Sequence, residues 1–249
     1  MKPTISIVLP IYNEIANLKL GVIDQVIKFA KTNSQIKEIL VVDDGSTDLS
    51  VEHIKKHYLQ KASILKLINK EHSGKAFTVI KGIETATADY VLFSDMDLAT
   101  PIEEADKLIA EINNHFQIII GSRKKGRKGA PLIRKIMALG FMYIRNFAIG
   151  LKGITDTQCG FKLFEKQAAI KIINKLRVFK AAKNIHGSSV GAGFDLEFLF
   201  LANKLGYKIK EVPVTWRHVE TKRVSFVKDS LETLWDIAKI KQNELLNRY

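Results

Sequence analysis

Two carboxylates, Asp95 and Asp97, flank a single methionine just past the apolar run Tyr90-Val91-Leu92-Phe93-Ser94. In a strand, residues i and i+2 lie on the same side, so a buried strand ending here would deliver both carboxylates to one place. Such a pair can grip a hard divalent ion whose remaining ligands are substrate phosphates. Solvated loops and helix caps also carry Asp-X-Asp, so the spacing alone leaves both readings open. Three further groups stand in comparable places. Tyr12-Asn13-Glu14 follows one apolar run, and Asp43-Asp44-Gly45-Ser46 follows another. A carboxylate there can accept from a base N–H or from ribose hydroxyls, although a strand-to-helix turn with an Asp or Ser cap uses the same residues. Lys75 follows Gly74 at the start of a helical stretch, where a cation beside free N–H groups suits a diphosphate.

The elements that must carry these groups alternate over the first 121 residues. Strands are expected at Thr4 to Leu9 (ended by Pro10), Glu38 to Val42, Ile64 to Ile68, Tyr90 to Ser94 and Gln117 to Gly121. Helices are expected over Ile15 to Lys31, from Ser46 to about Tyr58, over Gly74 to Ala86 and over Ile102 to Asn113. This alternation specifies an α/β fold with a mostly parallel sheet and helices on both faces. Ligands of such sheets bind outside the carboxyl ends of the strands, which is where all the polar groups fall. The second half is less regular. It offers a basic loop (123–129), helices over 131–151, 166–176, 194–204 and 225–247, and strands over 162–164 and 208–214.

Lysine and arginine number 39 against 26 acidic residues, a net charge of +13. That excess favours an anionic partner. No aromatic residues interleave with the basic residues between Arg123 and Lys135, so the parts for stacking single strands are missing and no nucleic-acid partner is expected. The single cysteine, Cys159, excludes an internal disulfide and a Cys-rich zinc site; it reads as a packed thiol. His53, His57, His72 and His115 read as surface residues. The longest apolar segment, Ile136 to Ile144, is too short to span a bilayer. Apolar residues mixed with Arg134, Lys135, Arg145 and Lys152 suit a helix lying on an anionic membrane surface. The terminal helix reads as a cover for the core. The expectation is a cytoplasmic protein, peripheral to the cytoplasmic face of a membrane.

Five stretches occur in order: Ser6-Ile-Val-Leu-Pro-Ile-Tyr-Asn-Glu14, Val41-Val-Asp-Asp-Gly-Ser-Thr-Asp48, Gly74-Lys75, Asp95-Met-Asp-Leu-Ala-Thr-Pro101 and Gly121-Ser-Arg123. Together they resemble the family 2 glycosyltransferases, inverting enzymes of the Rossmann-like GT-A fold that use nucleotide sugars. The later Asp156-Thr-Gln-Cys-Gly-Phe-Lys-Leu-Phe164 and Gly193-Phe-Asp-Leu-Glu197 are most similar to the dolichyl-phosphate glucosyltransferase branch. The resemblance implies one domain over 1–249, with a nucleotide-sugar half to about residue 121 and an acceptor-side half after it, including amphipathic helices. It implies that Pro10, Tyr12, Glu14, Asp43, Asp44, Lys75 and Asp95 bind the nucleotide sugar. Asp95 and Asp97 would hold Mg²⁺ or Mn²⁺. Arg123 and Arg134 would bind the acceptor phosphate, and Asp97, Arg123 and Asp156 would serve catalysis. The implied reaction moves glucose from UDP-glucose to a polyprenyl (dolichyl-type) phosphate, with a membrane protein as a possible further partner. A phosphate acceptor is largely ionised at neutral pH, so Asp156 need not be a strong base and would orient a substrate instead. Leu98-Ala99 stands where mannosyl-transferring relatives often carry a glutamine, which points to the glucosyl branch. Transfer of another sugar, such as mannose from GDP-mannose, or to a non-lipid acceptor, is the neighbouring alternative. A non-catalytic nucleotide-sugar or membrane-binding module is the alternative of a different class.

Overall fold

Side chains along the first strand, buried throughout, alternate between two cores, and this explains how the layers form. Ile5, Ile7 and Leu9 pack with Leu18, Val26, Ile54 and Leu108 on one face of the sheet. Val8, Leu40 and Val42 pack with Val79, Ile172, Leu199 and Ile240 on the other. A computed structural model describes residues 2–123, 145–151, 153–180, 192–217 and 226–249. Arg134, most of the basic loop, residues 131–144 of the expected interfacial helix and His218 lie outside the described residues.

Seven strands make one sheet: β1 (Ile5–Ile11), β2 (Ile36–Asp43), β3 (Leu65–Asn69), β4 (Tyr90–Ser94), β5 (Ile118–Ser122), β6 (Phe161–Glu165) and β7 (Ile209–Pro213). Their order is β3-β2-β1-β4-β6-β5-β7. All neighbours are parallel except β6, which runs antiparallel to both β4 and β5. The helices are α1 (Ile15–Lys19), α2 (Val22–Thr32), α3 (Ser50–Ile54), α4 (Lys75–Thr85), α5 (Ala105–Ala110), α6 (residues 145–149), α7 (Lys166–Ile173), α8 (Ala192–Lys204) and α9 (Phe226–Leu245). Helices α1, α2, α3 and α5 supply the first core, and α4, α7, α8 and α9 the second. The expected α/β class with helices on both faces is therefore present.

Three boundaries differ from the sequence expectation. Strand β1 runs through Pro10 to Ile11, because its pairing with β4 ends at Val8 and a missing N–H is tolerated where a ladder has ended. The single helix expected over Ile15 to Lys31 is two, broken at Gly21, whose φ of 74° is left-handed. The helix expected over Ile102 to Asn113 is α5 between two 3₁₀ turns, Ile102–Glu104 and Glu111–Asn114. The terminal helix covers the core with Ile237 and Ile240 but also leaves Leu231, Leu234 and Trp235 exposed.

Candidate active site

The carboxyl ends of β1 to β4 meet in one crevice. Pro10 is buried at the end of β1, and Tyr12 and Glu14 follow it at half-buried positions. The Tyr12 ring stacks on His72, with centroids 4.3 Å apart and planes 19° from parallel. Asn13 adopts a left-handed backbone (φ 55°). Its side-chain oxygen accepts from the Thr47 and Asp48 amides at 2.8 and 3.2 Å, which ties the loop after β1 to the loop after β2. Glu14 accepts from Asn17 Nδ2 at 2.6 Å. Strained backbone held by side-chain bonds is what a preorganised ligand site requires.

Asp43 and Asp44 are both buried, and the structure gives them different work. Asp43 accepts from the Gly45 and Ser46 amides at 3.1 and 3.2 Å, closing an Asx turn. Asp44 reaches across to the segment after β3. It accepts from the Ser73 and Gly74 amides at 3.0 and 2.8 Å, pairs with Lys70, and lies 2.9 Å from His72 Nδ1. Burial opposes its charge, but Lys70 and the two amides outweigh burial and hold the carboxyl below the usual carboxylate range. Asp44 thus fixes the entry to α4, and through His72 it fixes the ring under Tyr12. His72 is not the surface residue its sequence context suggested. Its position, three residues past a strand end and directly before Ser73-Gly74-Lys75, was the available signal.

Lys75 is the first residue of α4, and its Nζ lies 2.5 Å from Asp95 Oδ1. Burial lowers the lysine pKa and Asp95 more than restores it, so Lys75 is held as a cation. Asp95 Oδ1 is itself buried and takes no hydrogen bond of good geometry. Asp97 accepts from the Ala99 amide at 3.0 Å; burial and the nearby Asp95 push its carboxyl upward. Leu98, between them and the next turn, has φ 44°. Two carboxylates side by side, with Asp95 helping to push Asp97 upward, are a donor set that fits a hard divalent cation. Among the described residues no group of three His, Cys, Asp or Glu side chains forms a cluster, so the remaining ligands of such a cation would come from a bound substrate or water.

Opposite this pair, Arg123 follows β5 and grips Asp156. Its Nε and Nη2 donate to the two carboxylate oxygens at 2.7 Å each, and its amide donates to Oδ2 at 3.0 Å. Burial opposes both charges, yet the pairing keeps Asp156 below and Arg123 above their ordinary values. Nη1 of Arg123 has no partner among the described residues, and Trp216 packs 5.9 Å from the guanidinium. The loop bearing Asp156 is clamped from two sides, by Glu211, which the sequence did not single out, and by Arg145, which is buried here rather than laid on a membrane surface as expected. Glu211 of β7 accepts from the Thr155 and Asp156 amides at 3.1 and 2.7 Å. Buried Arg145 of α6 donates to Thr157 Oγ1 and to the Ile154 carbonyl, both at 3.1 Å. The segment after β7 then crosses the front of the site, where the Arg217 amide donates to the Ala99 carbonyl at 2.7 Å.

Asp195 and Glu197, the two carboxylates of the Gly193–Glu197 stretch, part company. Two positions along a helix rotate a side chain by about 200°. Asp195 turns inward to Lys162 at 2.9 Å. Glu197 points away and accepts from the Arg177, Val178 and Phe179 amides and from the Tyr249 hydroxyl, a purely structural anchor. Cys159 is buried, and burial pushes its thiol up to about 11, as expected of a packed thiol rather than a nucleophile.

Comparisons with known proteins agree with this geometry. Residues 6–173 match the family described as glycosyl transferase family 2. The chain is 31% identical to the dolichyl-phosphate beta-glucosyltransferase of Dictyostelium discoideum, covering 97% of this chain and 75% of that one. Among solved structures, mannosyl-3-phosphoglycerate synthase from Rubrobacter xylanophilus superposes with a TM-score of 0.69 at 16% identity, over 99% of this chain and 76% of that one. Glucosyl-3-phosphoglycerate synthase from Mycobacterium tuberculosis, solved with Mn²⁺, UDP-glucose and phosphoglyceric acid, does so with a TM-score of 0.62 at 16% identity, over 96% of this chain and 80% of that one. These likenesses are to GT-A enzymes, and the seven-stranded sheet is that fold. The chain belongs to glycosyl transferase family 2.

Proposed function

We propose that the protein is an inverting hexosyltransferase that moves glucose from UDP-glucose onto a polyprenyl phosphate of the dolichyl type. The observation that carries this reading is the facing of two charged pairs, Lys75–Asp95 beside Asp97 and Arg123–Asp156, across the carboxyl ends of β4 and β5. Dolichyl-phosphate beta-glucosyltransferase relatives supply the sugar and the acceptor class. In this reading the loops after β1 and β2 receive the nucleoside, with Tyr12 on His72 as a flat wall. Lys75 holds a diphosphate oxygen at the start of α4. Asp95 and Asp97 would hold the Mg²⁺ or Mn²⁺, which as a Lewis acid neutralises charge on the departing nucleoside diphosphate.

Asp156 holds Arg123 by both oxygens and stays ionised, so it serves to aim the guanidinium rather than to take a proton. That division suits a phosphate nucleophile, which carries its own negative charge. Nη1 of Arg123, together with Arg134, would place the acceptor phosphate for attack on the anomeric carbon from the side opposite the leaving group. Most of the rate gain then comes from holding two anions in line. Among the described residues no helix is long and apolar enough to cross a membrane. The exposed Leu231, Leu234 and Trp235 on α9 support contact with a membrane surface that carries the lipid acceptor.

The test is transfer of radiolabelled glucose from UDP-glucose into organic-extractable polyprenyl phosphate, with Mg²⁺ or Mn²⁺ and with EDTA. Lipid-linked label that disappears with EDTA and in Asp97→Ala is the expected result. UDP release without lipid label would move the acceptor elsewhere, and failure with every nucleotide sugar would favour a non-catalytic binding module.

A further inference from the structure

A lysine with no obvious business in a core lies directly behind the carboxylate pair. Lys162 sits on β6, opposite Phe93 in the antiparallel register with β4, and its side chain is 1% exposed. Its neighbours on the strand, Phe161 and Leu163, belong to the core of the opposite face. Lysine is almost never buried unless paired, and a buried ion pair is on the whole no more stabilising than well-packed apolar side chains of the same volume. Stability alone therefore gives no reason for a charge at this position, whereas its contacts do.

Lys162 Nζ makes three contacts. It donates to the Cys159 carbonyl at 2.5 Å, pairs with Asp195 Oδ1 at 2.9 Å, and lies 5.7 Å from the centre of the Phe93 ring. The first contact matters most for the site. Holding the Cys159 carbonyl fixes the Cys159–Gly160 peptide, and Gly160 is the floor on which Asp95 rests. The Gly160 carbonyl accepts from the Asp95 amide at 3.0 Å. A Cβ on Gly160 would stand 1.9 Å from Asp95 Oδ2, so the carboxylate packs onto bare backbone. The second contact extends the charges into an alternating row. Asp195 and Asp95 both stabilise the Lys75 cation, and Lys75 Nζ lies 5.5 Å from the same Phe93 ring.

We propose that Lys162 is a positioning residue for Asp95. It locks the Cys159–Gly160 backbone, so that the Asp95 carboxylate is delivered in one place to the cation and diphosphate of the donor. Asp195, half-buried, serves as its counter-charge. This inference rests on the donor-site reading given above, and the experiment separates the two.

Binding of UDP in the presence of Mn²⁺ is measured by titration calorimetry, and thermal unfolding is followed in parallel, for the full chain and three variants. Lys162→Met is expected to melt lower, because half-buried Asp195 is left without its partner, and to bind Mn²⁺–UDP at least tenfold more weakly. Asp195→Asn is expected to bind within about threefold of the parent, since Lys162 still reaches the Cys159 carbonyl. The double variant Lys162→Met/Asp195→Asn carries the decision. Removing both charges is expected to recover most of the melting temperature while binding stays weak, a split that a merely structural ion pair would not show. Recovery of binding along with stability in the double variant would overturn the positioning role. Absence of Mn²⁺–UDP binding by the parent protein itself would overturn the donor-site reading and this inference with it.

Discussion

Polar side chains at the site come in couples, in which one member orients the other. Arg123 is aimed by Asp156, Lys75 by Asp95, and His72 by Asp44. The Arg123–Asp156 couple depends on a planar fork, since two guanidinium nitrogens each meet one carboxylate oxygen at 2.7 Å. Lysine keeps the charge but not the fork. Arg123→Lys is therefore expected to lower kcat/KM by roughly ten- to a hundredfold and stability by about 1–2 kcal/mol, checked by steady-state kinetics beside urea unfolding. Unchanged kinetics would show that the charge alone suffices. Arg123 and Lys75 were legible from the sequence, because they stand in short motifs, whereas His72 was read as a surface residue. The supports were not. Lys162 falls inside the Asp156–Phe164 stretch and Arg145 was read as a membrane-surface residue, but neither position, nor that of Glu211, marks a support until the fold brings them beneath the site.

The strands and helices of the first half follow the apolar periodicity closely, since β1, β2 and β4 are largely buried runs and α2 and α4 each carry one buried stripe. Periodicity fails where a break keeps the stripe in phase. Leu18 and Val22, on either side of Gly21, both face the same core, so the pattern reads as one helix while the backbone turns left-handed between them. Gly21→Ala places a Cβ at φ 74°, and the strain is expected to reduce stability by about 1–2 kcal/mol, read from the shift in urea midpoint. A stability gain would mean that α1 and α2 can fuse, as alanine favours helix. The place of β6 was also hidden. The three residues expected as a strand over 162–164 carry no record of direction, and their insertion between β4 and β5 depends on β5 partners more than 40 residues away.

Across the entire fold, polar chemistry collects at the carboxyl ends of the strands, and one buried network secures the opposite end. Glu38, 2% exposed on β2, accepts from Ser6 Oγ at 2.7 Å and from the Thr87 amide at 2.7 Å, and pairs with Lys66 at 2.8 Å. Burial works against its charge, but these partners together lower its pKa from 4.5 to about 2. A carboxyl depressed in the folded state stabilises the protein above its unfolded pKa and loses that contribution as the pH falls toward the folded one. Stability is thus expected to drop by on the order of 2–3 kcal/mol between about pH 5 and pH 2 on account of this group. Glu38→Gln should flatten the slope in that window, measured by denaturant titrations across pH; an unaltered slope would assign acid sensitivity elsewhere. The reversed strand β6 has a consequence in time as well as in space. Because it fills the gap between β4 and β5, a ribosome must complete residue 165 before β4 can be closed on that side. During that interval the nascent chain presents an open strand edge, the kind of surface that invites pairing with other chains. The carbonyl floor under Asp95 arrives with that same late segment, so the support of the carboxylate and the covering of the β4 edge are acquired in a single step of synthesis.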